Sequence, residues 1–475
     1  MLFLRKKLVI RTRDAHCISR KNIDPDALRV LYRLADAGQT AYLVGGSVRD
    51  LLLGRTPKDF DISTDAHPNA IRKLFRNCFL IGRRFRLAHI VFGRKVIETS
   101  TFRRQPKASE GEAANLYQHE DNTFGTPEED ALRRDFTVNG LFYDIKTFSV
   151  IDYVGGLKDL EAKTLRCIGD PNVRFREDPV RMMRAVRFAA RLGFGIDWSS
   201  RRAIRRHHAE ITHASVPRLL EEVMRLFTFR TAEPAFHLLW KYELLGDIIP
   251  ELEAFINHSG REQSPVWAAL RALDADPAAD DASGGLRLAV LYYPVFKKAL
   301  ADELRHAAGK RVNRLHVART AFEPLVRRLH IPKAIFYTAT NLFDMLPCFD
   351  ELLKHPARRD RFVRSNLFPE ALALWRVVCR AETVVPSGLS DWEAATAQTS
   401  PHRGPEAEES DESDEAWRAA AGDAPRDAPR AGFHGGRRRR RPRNEHGHRE
   451  RHPSGGGGQT GETGSGRRAQ GCDQI

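Results

Sequence analysis

The stretch AYLVGGSVRDLLLG (residues 41–54), followed closely by KDFDIS (58–63), decides the fold of this chain. The apolar run before the glycines predicts a strand, and the leucine-rich segment after them predicts a helix. Glycines allow a backbone to approach a phosphate closely, and a helix start offers free N–H donors. Ser47 is placed either to cap that helix or to donate its hydroxyl to a phosphate. The alternative is an ordinary strand–turn–helix connection with a serine cap.

Two carboxylates lie in the second segment, at Asp59 and Asp61. On a strand, residues two apart point to the same face, so both would project together while Phe60 and Ile62 enter the core. Neighbouring carboxylates repel each other unless a cation lies between them, and Mg²⁺ prefers such hard oxygen ligands. The alternative is a solvated pair beside a turn.

The hydrophobic pattern divides the chain and predicts an α+β fold. Residues 1–24 are predicted to be an irregular arm, and an α/β head follows over residues 25–160, with a mobile loop at 107–126. Helical patterns then predict an all-helical neck (161–225) and body (226–385). From 386 to 475 an acidic block precedes an arginine-rich segment, a composition typical of a disordered basic tail.

The composition indicates a polyanionic partner. The net charge is +15, and because residues 396–475 contain 14 arginines and 13 acidic residues, nearly all of it precedes the tail. RNA, DNA and anionic membranes all fit, although a DNA or membrane role would rest on charge alone. Six scattered cysteines favour a reducing compartment. No apolar stretch is long enough for a signal peptide or membrane span, so we expect no membrane partner and a cytoplasmic location.

Two further segments carry helical patterns with polar residues at defined spacings. EEDALRRDFTVNGLFYD (128–144) begins with acid–arginine pairs four residues apart, which stabilise a helix. REDPVRMMRAVRFAARLGF (176–194) places Asp178 where an N-cap belongs and Pro179 at the first helical position. Arg181 would then form an ion pair with Glu177. Read by themselves, these residues are a helix cap and ion pairs.

Taken in order, these motifs resemble those of the class II branch of the polymerase β nucleotidyltransferase superfamily, which contains the tRNA CCA-adding enzymes and the bacterial poly(A) polymerases. The resemblance runs from about residue 16 to residue 191 and makes the head a catalytic head. It implies that Asp59 and Asp61 are catalytic and bind two Mg²⁺ ions, with ATP as the substrate. It also implies a nucleotide-binding role for the residues of the glycine turn and the helix after it, namely Gly45, Gly46, Ser47 and Arg49.

The resemblance assigns roles in the later motifs as well. Arg134, Asp135 and Asn139 would face the ribose and phosphates of the nucleotide. A third acidic role falls on Asp135, which the pattern favours, or on Glu98. Asp178 and Arg181 would contact the base edge, where an acceptor and a bidentate donor can distinguish bases without a template.

The segment GRRFRLAH (82–89) resembles the poly(A) polymerases rather than the CCA-adding enzymes, whose stretch is shorter. The implied function is the addition of AMP from ATP to RNA 3′ ends with release of pyrophosphate, in mRNA polyadenylation and RNA turnover, alongside RNA-degradation or RNA-chaperone partners. RNA would bind along the basic helical half, with the arginines at 437–441 either extending that surface or serving as a solubilising appendage. A CCA-adding enzyme and a non-catalytic RNA-binding protein are the alternatives.

Overall fold

An eight-stranded mixed sheet forms the first half of the structure, a computed structural model that describes residues 8–82, 86–104, 124–277, 279–307, 309–386 and 388–399. The strand order is β1-β8-β7-β2-β3-β6-β5-β4. Only β3 and β6 pair in parallel within this sheet. The strands are Val9–Arg11 (β1), Ala41–Val44 (β2), Asp61–Thr64 (β3), Cys78–Ile81 (β4), Leu87–Phe92 (β5), Lys95–Thr101 (β6), Leu141–Asp144 (β7) and Ser149–Asp152 (β8).

Five helices accompany this sheet: Pro25–Asp36 (α1), Gly46–Leu52 (α2), Pro68–Leu74 (α3), Pro127–Arg133 (α4) and Gly156–Glu161 (α5). The predicted helix at residues 25–37 is confirmed, since Asp24 caps its start and Gly38 follows its end with a φ of +81°. Its buried face includes Val30 and Leu34, which belong to the same core cluster as Leu43 and Ile62 of the central strands. Helix α1 therefore packs against the core behind the two central strands, β2 and β3.

The second half is helical, as predicted, apart from a two-residue parallel ladder between Thr164–Leu165 (β9) and Gly195–Ile196 (β10). Its helices are Pro171–Glu177 (α6), Val180–Leu192 (α7), Trp198–His207 (α8), Val216–Arg225 (α9), Ala232–Lys241 (α10), Leu244–Ile248 (α11), Pro250–His258 (α12), Pro265–Asp274 (α13), Gly284–His306 (α14), Arg314–Leu329 (α15), Lys333–Met345 (α16), Cys348–Glu351 (α17), Pro356–Val363 (α18), Phe368–Ala381 (α19) and Leu389–Thr399 (α20). An α+β fold with a mixed-sheet head and a helical remainder is confirmed.

Two sequence predictions about the head need correction or completion. The arm was expected to be irregular, but β1 lies within it and pairs antiparallel with β8, so that Ile10 faces Ile151. The expected strand over residues 59–63 starts only at Asp61, and Asp59 precedes it. The disordered tail predicted from residue 386 begins too early, because α20 (Leu389–Thr399) lies within it and buries Trp392. Most of the loop predicted at 107–126, the arginines at 83 and 84, and the remainder of the tail beyond residue 399 lie outside the described residues.

None of the helices in the described part of the chain combines the length and the apolar character needed to cross a bilayer.

Candidate active site

A cleft of about 560 Å³ opens above the ends of β2 and β3. Its floor comes from the head and its opposite wall from α7, α9 and the turn after α9. The head contributes Gly45, Gly46, Ser47, Arg49, Asp50, Lys58, Asp59, Asp61, Arg134, Asp135 and Asn139 to the lining, and the wall contributes Asp178, Val180, Arg181, Arg184, Arg187, Phe188, Arg191, Arg218, Glu221, Glu222, Arg225 and Phe229. Of the twelve site residues predicted from the sequence, all but Glu98 therefore line this cleft.

The glycine turn is shaped by Gly45, which has a φ of +73° that side-chain-bearing residues rarely adopt. A Cβ there would lie 2.9 Å from Nη1 of Arg134, so a larger residue would also displace that guanidinium. Gly45 occupies the N-cap position of α2, and Ser47 lies inside the helix. The buried Ser47 hydroxyl donates to the carbonyl of Val44 at 3.0 Å, so of the two alternatives for Ser47 the helix cap is wrong.

Asp61 begins β3 and lies opposite Val44 in the ladder with β2, which brings it beside the glycine turn. Surrounding protein desolvates the Asp61 carboxyl and raises its pKa to about 6; nearby Glu98 and Asp59 add to this effect, and Arg134 opposes it. Asp59, two residues earlier, is exposed to the same cleft. Ile62 is buried and Phe60 packs against the core, as the predicted alternation requires. Two acidic groups thus crowd one end of the sheet.

Glu98 lies on β6, which is parallel to β3, so its strand runs directly beside that of Asp61. It lines a second cavity of about 460 Å³ that shares Asp61 and Arg134 with the main cleft. Burial and then the charge of Asp59 raise the pKa of Glu98. Among the described residues, the His89 ring approaches it, with Nε2 3.6 Å from Oε1. Glu98 is therefore an acidic neighbour of the Asp59–Asp61 pair, and among the described residues its carboxylate has one ion-pair contact, with His89.

Asp135 is committed to other partners. Its Oδ2 accepts from Nε and Nη2 of Arg184 at 2.9 and 2.6 Å, and its Oδ1 accepts from Asn139 at 3.1 Å and the amide of Phe136 at 2.8 Å. Despite burial, these contacts lower the pKa of Asp135 to about 2, with the Arg184 charge the largest favourable cause. Helix α4 ends at Arg133, before both residues, but a short 3₁₀ turn, Thr137–Asn139, brings Asn139 back to Asp135. These contacts favour Glu98 over Asp135 for the third acidic role.

Arg49 is a buried link between the glycine turn and the later motif. Its Nη1 donates to Oδ1 of Asn139 at 2.5 Å, and its Nε donates to Oδ1 of Asp50 at 2.8 Å. Asp50 in turn accepts from Nη2 of Arg191 on α7 at 2.7 Å. Because Arg49 is only 1% exposed, it holds the cleft together and has little surface left for a nucleotide.

Arg134 has a different setting. Its guanidinium donates to Oδ2 of the buried Asp130 from Nη2 at 2.9 Å and from Nε at 3.2 Å. Its Nη2 also reaches the hydroxyl of Ser63 at 3.4 Å, and Nη1 lies beside Gly45. The predicted Asp130–Arg134 helix pair is confirmed and fixes an arginine beside the turn, facing the cleft.

Asp178 and Arg181 lie on the opposite wall. Asp178 was expected to cap α7, but it ends α6 instead, and Pro179 occupies the cap position with no side-chain hydrogen bond. The Oδ2 of Asp178 accepts from Nη2 of Arg218 at 2.8 Å, whereas its Oδ1 is buried without a hydrogen-bond partner in the described residues. The predicted Arg181–Glu177 ion pair is confirmed at 3.3 Å. An unsatisfied buried acceptor needs a donor, and the amino group of a base can provide one.

The sequence motifs did not identify several basic residues of the wall. Arg184, Arg187 and Arg191 follow Arg181 at intervals of three or four along α7, a spacing that places all four on one helical face. That periodicity was readable in the sequence. Arg218, Arg225 and Phe229 carried no comparable signal, because α9 and the turn after it reach the cleft only through tertiary packing.

Comparisons with known proteins agree with this architecture. Residues 41–166 match the sequence model of a family described as "Poly A polymerase head domain", and residues 193–256 match one described as "Probable RNA and SrmB- binding site of polymerase A". Poly(A) polymerase I of Salmonella typhimurium is 47% identical over 262 residues, which are 54% of this chain and 56% of that protein. The CCA-adding enzyme of Bacillus subtilis is 35% identical over 256 residues, or 51% and 62% of the two chains.

Solved structures show the same relationship. The crystal structure of the Bacillus stearothermophilus CCA-adding enzyme in complex with CTP matches with a TM-score of 0.57 and 26% identity, over 79% of this chain and 83% of that one. A tRNA nucleotidyltransferase complexed with a primer tRNA and an incoming ATP analogue shares the fold, with a TM-score of 0.52 at 22% identity. By sequence, this chain spans little more than half the length of the poly(A) polymerases that it matches.

Proposed function

We propose that this chain, a relative of the class II polymerase β nucleotidyltransferases, adds AMP from ATP to RNA 3′ ends and releases pyrophosphate. One observation carries the proposal: two carboxylates at Asp59 and Asp61 lie beside a tight glycine turn in a cleft lined on its far side by arginines. This arrangement suits a reaction in which a triphosphate is held and charge moves between its phosphates.

The residues fit a divalent cation. Within the described residues no lysine, arginine or histidine lies within 4 Å of the carboxylates of Asp59 or Asp61, so both are available as ligands. In the same described part of the chain, no group of three or more His, Cys, Asp or Glu side chains is placed so that it could hold a metal ion by itself. Mg²⁺ commonly uses one or two carboxylates and completes its coordination with water and substrate phosphates. We propose two Mg²⁺ ions held by Asp59 and Asp61, with Glu98 as the third acid.

The Mg²⁺ ions would supply charge stabilisation and a more reactive 3′-hydroxyl. The remaining tasks belong to the chain's own residues. Gly45 and Gly46 give the triphosphate room to approach the backbone, and Arg134 offers a guanidinium fixed beside them by Asp130. The α7 arginines balance the charge of the phosphates from across the cleft. Arg187 is buried, at 8% exposed, so its charge is shielded from bulk water.

Base selection is proposed for Asp178 and Arg181. The orphaned Oδ1 of Asp178 can accept the 6-amino group of adenine. The Nη1 of Arg181 is held by Glu177 and by the carbonyl of Arg174 at 3.0 Å, and the residue lines the cleft. Arg218 restrains the other Asp178 oxygen, so the acceptor is held in one orientation. A fixed edge of this kind distinguishes bases without a nucleic-acid template.

The rival activity is CCA addition, which the 35% identity to the Bacillus subtilis CCA-adding enzyme keeps open. The 47% identity to Poly(A) polymerase I favours AMP addition. A third alternative is a non-catalytic RNA-binding protein. Such a protein would have no use for a carboxylate pair that, among the described residues, has no Lys, Arg or His ion-pair partner. We further propose that the reaction serves mRNA polyadenylation and RNA turnover in the cytoplasm, alongside RNA-degradation or RNA-chaperone partners.

A nucleotide-choice assay tests the proposal. The full chain is incubated with Mg²⁺, a 5′-labelled RNA and each nucleoside triphosphate in turn. Long ladders with ATP alone support AMP addition, a short CTP-dependent extension supports CCA addition, and no extension supports the binding protein. Asp61→Asn should abolish the extension; its matched control is Asp36→Asn, which also removes one carboxylate from the head but lies at the end of α1, outside the cleft.

A further inference from the structure

Phe229 is an aromatic residue in an unusual position, on the turn that follows α9. It lines the catalytic cleft together with Asp59 and Asp61, and its side chain is partly exposed there. Its backbone has a φ of +64°, and Arg230 follows with a φ of +57°. Two consecutive left-handed residues that carry side chains are costly, and such strain persists only where the surroundings enforce it.

The surroundings of this turn do enforce it. The amide of Phe229 donates to Oδ1 of Asp280 at 2.6 Å, and Nε of Arg230 donates to the carbonyl of Asp274 at 2.8 Å. The carboxylate of Asp274 also accepts the amides of Ala232 and Glu233, at 2.9 and 2.8 Å. The body therefore holds the turn in place and presents the phenyl ring to the cleft.

Arg191 covers one face of the Phe229 ring. The guanidinium carbon of Arg191 lies 3.7 Å from the ring centroid, and Nη2 of Arg191 donates to Asp50 of the head. Arg191 thus fixes the ring against the head. The exposed part of the ring is an aromatic surface of the kind on which nucleic-acid bases stack.

The position of Phe229 relative to the other functional residues indicates which base this surface would meet. Arg191 and Phe229 meet near the C-terminal end of α7, whereas Arg181 lies near its N-terminal end, on the order of 15 Å away at 1.5 Å rise per residue. Arg225, one turn before Phe229, lies close enough to Glu98 to act on its charge. Phe229 therefore lies at the end of α7 that is remote from the proposed site of the incoming base.

We propose that Phe229 stacks on the base of the RNA's 3′-terminal nucleotide and so positions the acceptor hydroxyl. Phe229 is a positioning residue in this proposal, which rests on the proposed transfer to RNA. Stacking accepts any base, because every base has an aromatic face, and this suits an enzyme whose acceptor end changes from the original RNA to its own product.

The test uses the full chain, saturating ATP and two RNA primers that differ only in whether the 3′-terminal nucleotide carries a base. Both primers keep the 3′-hydroxyl. We expect the abasic primer to lower kcat/KM of the native protein on the order of ten-fold. We expect Phe229→Ala to lose a similar factor on the normal primer and little more on the abasic one, and Phe229→Trp to stay near native activity. The KM for ATP should not change.

A matched control separates stacking from a structural role. Phe148 also has positive φ, +54°, and an arginine guanidinium, Arg20, 4.8 Å from its ring centroid, but it lies outside the cleft. Phe148→Ala should therefore discriminate between the two primers as the native protein does. Phe229→Gly relieves the backbone strain, and we expect it to be as stable as Phe229→Ala or more so and equally poor on the normal primer.

Different outcomes overturn different claims. If the abasic primer lowers kcat/KM of Phe229→Ala by as large a factor as it lowers kcat/KM of the native protein, the base does not stack on Phe229 and the inference is wrong. Near-native activity of Phe229→Gly would also overturn it, because the side chain would then serve only the turn. If the native protein extends neither primer with any nucleotide, the proposed function itself fails.

Discussion

Replacing Asp135 with asparagine separates a positioning role from a catalytic one. Asp135 accepts two hydrogen bonds from Arg184, at 2.6 and 2.9 Å, inside the interface between the head and α7. Asparagine removes the charge opposite a buried guanidinium and points an amide donor at other donors. Breaking a buried ion pair from one side costs about 3–5 kcal/mol of unfolding free energy. We expect the lower end of that range, because Glu222 lies 3.6 Å from Nη1 of Arg184 and keeps part of the compensation.

Glu98→Gln is the partner measurement. The Glu98 side chain is about half exposed and its recorded ion pair is with His89 at 3.6 Å, so stability should change by less than about 0.5 kcal/mol. The kcat should nevertheless fall at least about 100-fold, because the carboxylate beside Asp59 and Asp61 is lost. The concentration of Mg²⁺ that gives half-maximal rate should rise for Glu98→Gln and stay close to native for Asp135→Asn.

Urea denaturation followed by circular dichroism measures the stabilities, and single-nucleotide addition measures kcat. A double-mutant cycle with Arg184→Met isolates the pair, and we expect the double variant to be more stable than the two single losses predict, by about 1–3 kcal/mol. The reasoning is refuted if Asp135→Asn has native stability and an altered Mg²⁺ requirement while Glu98→Gln retains its activity. In that case Asp135 is the third acid.

Three further outcomes follow from the same structure. The pKa of Asp135 is about 2 in the folded protein against a usual 3.8. The Asp135–Arg184 pair therefore stabilises the fold fully above pH 4, and this contribution of about 2 kcal/mol is lost as the pH falls from 4 to 2. The acid limb of a curve of stability against pH should flatten in Asp135→Asn. Gly45→Ala should cost at least about 1 kcal/mol of stability, measured by urea titration, and should also raise the KM for ATP, because it combines positive φ with a 2.9 Å approach to Arg134; native values for both would contradict this. Arg181→Ala should reduce the preference for ATP over CTP on the order of ten-fold or more in competition assays, whereas an unchanged preference would place base selection elsewhere.

Local sequence patterns predicted the centre of the head well. The apolar run before Gly45, the helix after it and the strand from Asp61 are specified by residues adjacent in the chain, so periodicity and glycine placement suffice. The edge strand β1 escaped prediction because its three residues pair with β8, about 140 positions later. A three-residue strand has too little periodicity to be recognised, and only the tertiary partner defines it.

For the same reason, only part of the site could be predicted from the sequence. The residues of the glycine turn and the carboxylate pair are close in sequence, and the structure brings them together. The ion-pair role of Asp135 could not be predicted from the sequence, because its partner Arg184 lies 49 residues away. Without that partner, the Asp135 carboxylate looks free to bind a metal ion. Asp178 resembled a helix cap because Pro179 follows it, but a second helix ends there, and the side chain turns to Arg218.

The most direct test of the account is transfer by Asp61→Asn, compared with native protein and Asp36→Asn in the same assay with ATP, RNA and Mg²⁺. We predict ATP-dependent ladders for the native protein and the control, and at least about 100-fold slower addition by Asp61→Asn, with RNA affinity and thermal stability retained. Addition by Asp61→Asn at the native rate would show that the carboxylate pair does not perform the chemistry.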